Sequence, residues 1–301
     1  MASVARPIVL LLVPFSLLLT ACGSPQGAAQ PTTIAASQAV SAYVQIASSD
    51  LAVGQNRFTF AIIDRGHPLK GGSPHLTLFS LRGGQAIIAG TAVAHFNDFA
   101  RGLRDTSQNS AAVEIGGVYV TSVRFPVAGN WGVQVALRDH GHSYRLRQGF
   151  TVRRHSLTPA VGSRAPLTHN PTVAQVPAGL LDSGRPPDDM HRLSIAQVIA
   201  RHTPLLVLFA TAAYCTSRLC GPEIETIKAL EQRYRGRVDF IHIEIYKNAN
   251  PQYGYAPAVL QWHLRTEPWV FVVDRQGNIR AKFEGPTTGQ EIAPVLDRIV
   301  R

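Results

Sequence analysis

Phe209-Ala210-Thr211-Ala212-Ala213-Tyr214-Cys215-Thr216-Ser217-Arg218-Leu219-Cys220-Gly221-Pro222 is the stretch around which this 301-residue chain is organised. Before it, Leu205 to Phe209 is an apolar run of the length of one buried strand. After it, Gly221-Pro222-Glu223 opens a helical pattern. Two thiols are therefore expected between the end of a strand and the start of a helix. Backbone N–H groups and the helix dipole at such a junction favour a thiolate over a thiol. A partly exposed thiolate is the nucleophile of thiol–disulfide exchange.

Working outward, the cysteine count is three: Cys22, Cys215 and Cys220. An odd count in an exported chain calls for an account of the extra thiol. Export is read from residues 1–21. Arg6 is the only charge there, and Ile8 to Leu19 is an apolar core too short to span a bilayer. Leu19-Thr20-Ala21-Cys22 then resembles the lipobox of bacterial lipoproteins. That resemblance implies cleavage before Cys22 and acylation of its thiol, which anchors the chain to a membrane on its outer side. Residues 22–37 are rich in Gly, Ala, Gln, Ser and Pro, and read as a flexible tether.

A hydrophobic share of 45% and a charged share of 16% suit folded domains and exclude wholesale disorder. The formal charge is +10, and +9 once the segment holding Arg6 is removed. That excess has two readings, plain solubility or attraction to anionic lipid and cell-wall polymer. Lys and Arg are scattered rather than striped and no nucleic-acid motif is present, so nucleic acid is not expected as a partner. No Gly-rich phosphate loop, HExxH or GxSxG motif occurs, and no cofactor is expected.

Residues 38–155 read as an all-β sandwich. Short runs at Ala42–Ile46, Arg57–Ile63, His75–Leu81, Gln85–Val93, Val118–Phe125, Gly132–Leu137 and Tyr144–Val152 are separated by Gly, Pro, Asn and Asp. Val127-Ala128-Gly129-Asn130-Trp131 ahead of an alternating run resembles the entry to a late strand of an immunoglobulin-like domain, without its cysteine staple. Phe96 to Ala112 has no clear period and is expected to be a surface loop. Asp139-His140-Gly141-His142 has the residue types of a metal cluster but sits between two strands, where Asp and Gly are turn formers. Residues 156–192 carry six prolines and read as a connector, semi-extended, part of it lying on the domain that follows. Asp188-Asp189 within it are expected to be solvated.

Residues 193–301 follow the order α, β, α, β, α, β, β, α. Ser194 is an N-cap candidate, Pro204 a helix stop, and Ile224, Ile227, Leu230 and Tyr234 form one helical face closed by Gly236. Together with Phe209-Ala210 before the cysteines, Thr266-Glu267-Pro268 before the strand Trp269–Val273, and the turn Asp274–Gly277, this region resembles the extracytoplasmic, membrane-tethered kind of thioredoxin-like domain. The resemblance implies a cis Pro268 facing the cysteines, Cys215 as attacking thiolate, Cys220 as resolving thiol, and Glu267-Pro268 as backbone for an extended substrate segment. It implies protein thiols and disulfides outside the cell as partners.

The chain departs from that family in having four residues between its cysteines instead of two. Residues five apart in a helix have Cα atoms roughly 8–9 Å apart, beyond the roughly 7 Å reach of a disulfide. Bonding then requires a loop, with Pro222 as the first helical residue and both thiols upstream of it. Lys247 is expected at the same sheet edge, either supporting the thiolate or solvated. Two other readings of the pair stand beside exchange: a purely structural disulfide, and copper delivery with His242 or His263 as the third ligand.

Overall fold

The computed structural model describes residues 42–101, 114–217 and 219–301. The expected signal segment 1–21, Cys22 and the tether 22–37 lie outside the described residues, as do Arg218 and most of the polar insert.

Among the described residues the first part has nine strands. They are β1 (Ala42–Ile46), β2 (Gly54–Asp64), β3 (His67–Pro68), β4 (His75–Arg82), β5 (Gln85–Val93), β6 (His95–Asp98), β7 (Gly117–Phe125), β8 (Gly129–Asp139) and β9 (His142–Val152). They form two antiparallel sheets, β1-β2-β7-β6 with β3 on β2, and β5-β4-β8-β9. Alternate residues of both sheets meet in one core: Phe58, Phe60 and Ile62 of β2 face Leu76 and Leu78 of β4 and Trp131, Val133 and Val135 of β8. Phe125 meets Trp131 edge-on with ring centroids 5.0 Å apart, the favoured geometry of aromatic pairs.

Two local expectations resolve differently. Asp139 pairs with His142 across a two-residue turn in which His140 (φ 44°) and Gly141 (φ 80°) are both left-handed, so the segment is a hairpin turn. The expected loop from Phe96 instead begins as strand β6, with Phe96 opposite Tyr119 of β7. Its polar residues hid it: Asn97 is buried because its amide reaches Glu291 near the far end of the chain.

Residues 195–299 show the expected element order. Helix α1 (Ile195–Ala200) precedes β10 (Leu205–Ala210), α2 (Cys220–Tyr234), β11 (Asp239–Glu244), α3 (Pro257–Gln261), β12 (Trp269–Val273), β13 (Ile279–Glu284) and α4 (Gly289–Ile299). Ser194 caps α1 through a reciprocal bond pair with Gln197. The sheet order is β11-β10-β12-β13, with β10 parallel to β11 and antiparallel to β12. Every residue of β10 is buried because both faces are covered. Leu205, Val207 and Phe209 join a core with α1 and α3, and Leu206, Leu208 and Ala210 join one with α2 and α4. That central position fixes the end of β10, from which the Cys loop departs.

The connector lies against this sheet. Ala165 N–H donates to Gly277 O at 2.9 Å, and the Trp262 indole donates to Thr168 Oγ1 at 2.8 Å. One expectation about it fails. Asp189 is exposed, but Asp188 is buried with only 6% of its side chain accessible, facing His191 and His242. Two adjacent carboxylates in a Pro-rich segment give no hint of this, because the partners lie 3 and 54 residues on.

Val40–Arg301 forms one compact unit. Lys282 of β13 donates to Asp50 Oδ2 at 2.9 Å, and Arg57 of β2 holds both carboxylate oxygens of Glu291 of α4 through Nε and Nη2. Asp50 is buried, which alone would raise its pKa. Bonds from Ser156 and the Leu157 N–H, together with the Lys282 charge, outweigh burial and hold the carboxyl well below the usual range. Among the described residues no helix is long and apolar enough to cross a membrane.

Candidate functional site

The chain leaves the buried end of β10 at Ala210 and reaches Cys215 through a loop that the connector supports. Ser183 Oγ accepts the Ala213 N–H at 3.0 Å and donates to Glu244 Oε2 at 2.6 Å. Cys215 lies in this loop, half-buried, and Cys220 is fully buried as the first residue of α2.

This corrects the expected helix start. Pro222 is the third residue of α2 rather than the first, and Cys220 sits within the helix. The reason is local: Leu219 already has helical backbone angles and its carbonyl accepts the Glu223 N–H. The first four helical N–H groups have no intrahelical acceptor, so proline is tolerated throughout that turn. Cys215 alone is upstream of the helix.

The two sulfurs and a carboxylate oxygen of Glu267 lie within 4.8 Å of one another. The Cys220 N–H, an unpaired donor of the helix start, points at Cys215 Sγ at 3.2 Å. Ser217 Oγ is 3.3 Å from the same sulfur. The Thr216 N–H donates to Glu267 Oε1 at 3.3 Å, and the Glu267–Pro268 peptide is cis. Residues 215, 220, 267 and 268 are thus brought together.

The electrostatics split the pair. A hydrogen bond from the Cys220 thiol lowers Cys215; burial opposes this, and Ser217 and the N–H groups of Cys220 and Leu219 add to it. The net result is a Cys215 pKa of about 6. The same sulfur–sulfur bond and burial push Cys220 far up. Near neutral pH the arrangement is one thiolate accepting from one thiol. Burial raises Glu267, and the Cys215 thiolate raises it further.

The iodoacetamide rate of the reduced protein should therefore rise through pH 6 and level off by about pH 8, rather than climbing through pH 9. Ser217→Ala removes a donor and should move the midpoint up. Glu267→Gln removes a facing negative charge and should move it down. A midpoint that ignores both substitutions would show that neither group acts on the sulfur.

The Lys247 backbone N–H donates to Gly254 O at 2.9 Å. Among the described residues, the donor group around the cysteines is completed by Glu267 and includes neither His242 nor His263. His242 is turned away to Asp188 and Ala210 O.

Three features beside the pair were not anticipated. Tyr214, half-exposed next to Cys215, meets Tyr246 edge-on at 6.2 Å, and Tyr246 stacks on exposed Tyr255 at 5.7 Å. The one available signal was the clustering of Tyr246, Tyr253 and Tyr255 just after β11. Glu223, three residues past Cys220, is fully buried against Thr287; burial raises its pKa to about 7 despite bonds from the Thr287 N–H and hydroxyl. The third feature is a buried group of Asp182, Asp188, His191 and His242.

No family model and no curated protein matches the chain. Solved structures similar to part of it include chloroplastic thioredoxin z, at 18% identity over 34% of this chain and 82% of that one, TM-score 0.28. StoA from Bacillus subtilis is 14% identical over 31% of this chain and 82% of its own, TM-score 0.27. A thiol:disulfide interchange protein of the thioredoxin family from Chlorobium tepidum TLS is 15% identical over 48% of this chain and 97% of its own, TM-score 0.32. Two of these three are described as thioredoxins or thioredoxin-family proteins.

Proposed function

We propose that the chain is a thiol–disulfide oxidoreductase acting through Cys215 and Cys220 on protein thiols outside the cell. In this reading Cys22 carries a lipid anchor, and the immunoglobulin-like sandwich serves as spacer or partner-binding module. The observation that supports it most is the asymmetry of the pair. A half-exposed sulfur, held as thiolate by a helix N–H and a neighbouring thiol, lies beside a buried sulfur that stays protonated.

The steps follow from that asymmetry. The Cys215 thiolate attacks one sulfur of a substrate disulfide, forming a mixed disulfide and releasing a substrate thiolate that takes a proton from water. Cys215 then carries no charge and no longer accepts from Cys220. The largest influence holding Cys220 protonated is gone, so its thiol ionises more readily. The Cys220 thiolate attacks Cys215 Sγ, expels the second substrate thiolate and closes the intramolecular disulfide. Two electrons pass from the cysteine pair to the substrate, and a dithiol donor returns them. The exposed edges of Tyr214 and Tyr255, with the Glu267-Pro268 loop, offer the surface on which an extended substrate segment lies.

Cys220→Ser tests the order of events. With an excess of a disulfide-bonded peptide, this variant should accumulate one mixed disulfide per chain, on Cys215, stable for minutes and released by dithiothreitol. Mass spectrometry after acid quenching reads it. A chain that accumulates no adduct, or carries it elsewhere, would leave the pair as a structural disulfide.

A further inference from the structure

The connector residues Asp182, Asp188 and His191 meet His242 of β11, the edge strand of the C-terminal sheet. Asp182 is 1% exposed, His191 3% and His242 2%. His242 Nδ1 lies 2.7 Å from Asp188 Oδ2, His191 Nε2 lies 3.1 Å from Asp188 Oδ1 and 3.6 Å from Asp182 Oδ2, and one donor atom from each of the four residues lies within 4.8 Å of the others.

The orientation of these groups is more informative than their proximity. Ala210 O is 3.2 Å from His242 Nε2, and a carbonyl only accepts, so Nε2 carries the proton. Once Nδ1 gives up its proton, as metal binding requires, its lone pair points toward Asp188 Oδ2. A metal-bound histidine is oriented in the same way, donating its remote N–H to a backbone carbonyl. The carboxylates are aimed by the backbone: Asp182 accepts the N–H groups of Gly184 and Asp188 at 2.7 Å each, and Asp188 Oδ1 accepts that of Met190 at 2.9 Å. His191 Nε2 is the one buried side-chain polar atom among the described residues without a hydrogen bond. It points between two carboxylates yet is misaligned with both.

From this we infer that Asp182, Asp188, His191 and His242 form a structural site for a divalent transition metal, with Zn²⁺ the ion that fits best. Two imidazoles and two carboxylates are donors Zn²⁺ accepts at about 2.0–2.2 Å, and four protein ligands with no solvent access mark a structural rather than a catalytic site. Tetrahedral ligands at that radius are roughly 3.2–3.6 Å apart, and the donor separations here, from 2.7 Å up to a limit of 4.8 Å, bracket that spacing. The ion cancels two buried carboxylate charges and gives His191 Nε2 a partner. The site ties the connector to the sheet: Ser183, next to Asp182, holds Glu244 and the loop that leads to Cys215. It stands apart from the exchange chemistry proposed above and does not depend on it.

The test uses the full chain carrying Cys22→Ser, Cys215→Ser and Cys220→Ser, which removes every thiolate as a competing ligand. Calorimetric titration with Zn²⁺ should show one equivalent bound. Co²⁺ should give the visible absorption of a tetrahedral nitrogen–oxygen site without thiolate charge-transfer bands. His191→Gln or Asp182→Asn should weaken Zn²⁺ binding at least 100-fold. If those variants fail to fold, long-range ¹H–¹⁵N spectra of the chain with both histidines decide the matter: His191 Nε2 and His242 Nδ1 should move to metal-bound shifts when Zn²⁺ is added. Absence of binding, binding unaltered by His191→Gln, or unmoved imidazole nitrogens would overturn the site and leave a proton-bridged network of two imidazolium rings and two carboxylates.

Discussion

Cys215→Ser should bring dithiothreitol-driven insulin reduction down to the uncatalysed rate, a loss on the order of 10³-fold in kcat/KM. The size of the effect follows from where the second sulfur is. Cys220 is fully buried and its thiol is strongly held in the protonated form, so it cannot replace Cys215 as nucleophile. A serine at position 215 does not ionise near neutral pH and does not attack a disulfide sulfur. Cys220→Ser should be almost as slow in steady state, but for another reason: it keeps the first attack and loses only the resolving step. Single-turnover measurements separate the two, with a burst of one equivalent for Cys220→Ser and none for Cys215→Ser. The pH dependence sharpens the result. In wild type the first-turnover rate should rise as pH passes about 6, where Cys215 ionises, and flatten above it, whereas Cys220→Ser loses the thiol donor to Cys215 and should shift that midpoint. Wild type and Cys215→Ser reducing insulin at the same background rate would end the enzymatic reading.

Much of the C-terminal region was legible because its signals are local. Leu205–Phe209 reads as a buried strand from five residues, Ser194 as a cap from its residue type, and the Asp274–Gly277 turn from its glycine. Cys215 and Cys220 were legible as a pair, but the start of α2 was not. Pro222 marks a first turn without saying which position of that turn it fills, so the helix began two residues earlier than expected. The buried group of Asp182, Asp188, His191 and His242 was illegible for a different reason. His242 sits in an apolar strand and reads as a face residue, and Asp188 sits among prolines and reads as solvated. Only the fold of the connector back onto β11 makes them neighbours. Strand β6 was missed in the same way, since the burial of Asn97 depends on Glu291, 194 residues away.

That long-range pairing sets the second large effect. Arg57→Ala should destabilise the reduced protein by about 2–3 kcal/mol, between the roughly 0–1 kcal/mol of an exposed pair and the roughly 3–5 kcal/mol of a fully buried one broken from one side. The guanidinium is 13% exposed and the Glu291 carboxylate 18%. Besides Glu291, Arg57 donates to Glu284 O at 2.6 Å and to Pro286 O at 3.0 Å. Truncation leaves a partly buried carboxylate with the Asn97 amide, at 2.8 Å, and strands two carbonyls at the loop before α4. Coulomb attraction is not what makes the loss large; the uncompensated desolvation of Glu291 is. The double variant Arg57→Met with Glu291→Met should accordingly recover most of the loss, because two apolar side chains of similar length leave no buried charge behind. Urea unfolding followed by tryptophan fluorescence reads both parts, since Trp131 lies in the sandwich core and Trp262 and Trp269 in the C-terminal cores. In wild type a single transition is expected, with all three tryptophans reporting the same midpoint. Arg57→Ala should lower that midpoint or split it in two, the splitting meaning that the contact couples two otherwise independent folding units. A midpoint shifted by less than about 1 kcal/mol equivalent, within the range of an exposed pair, would show that the contact is solvated and does not join the two parts.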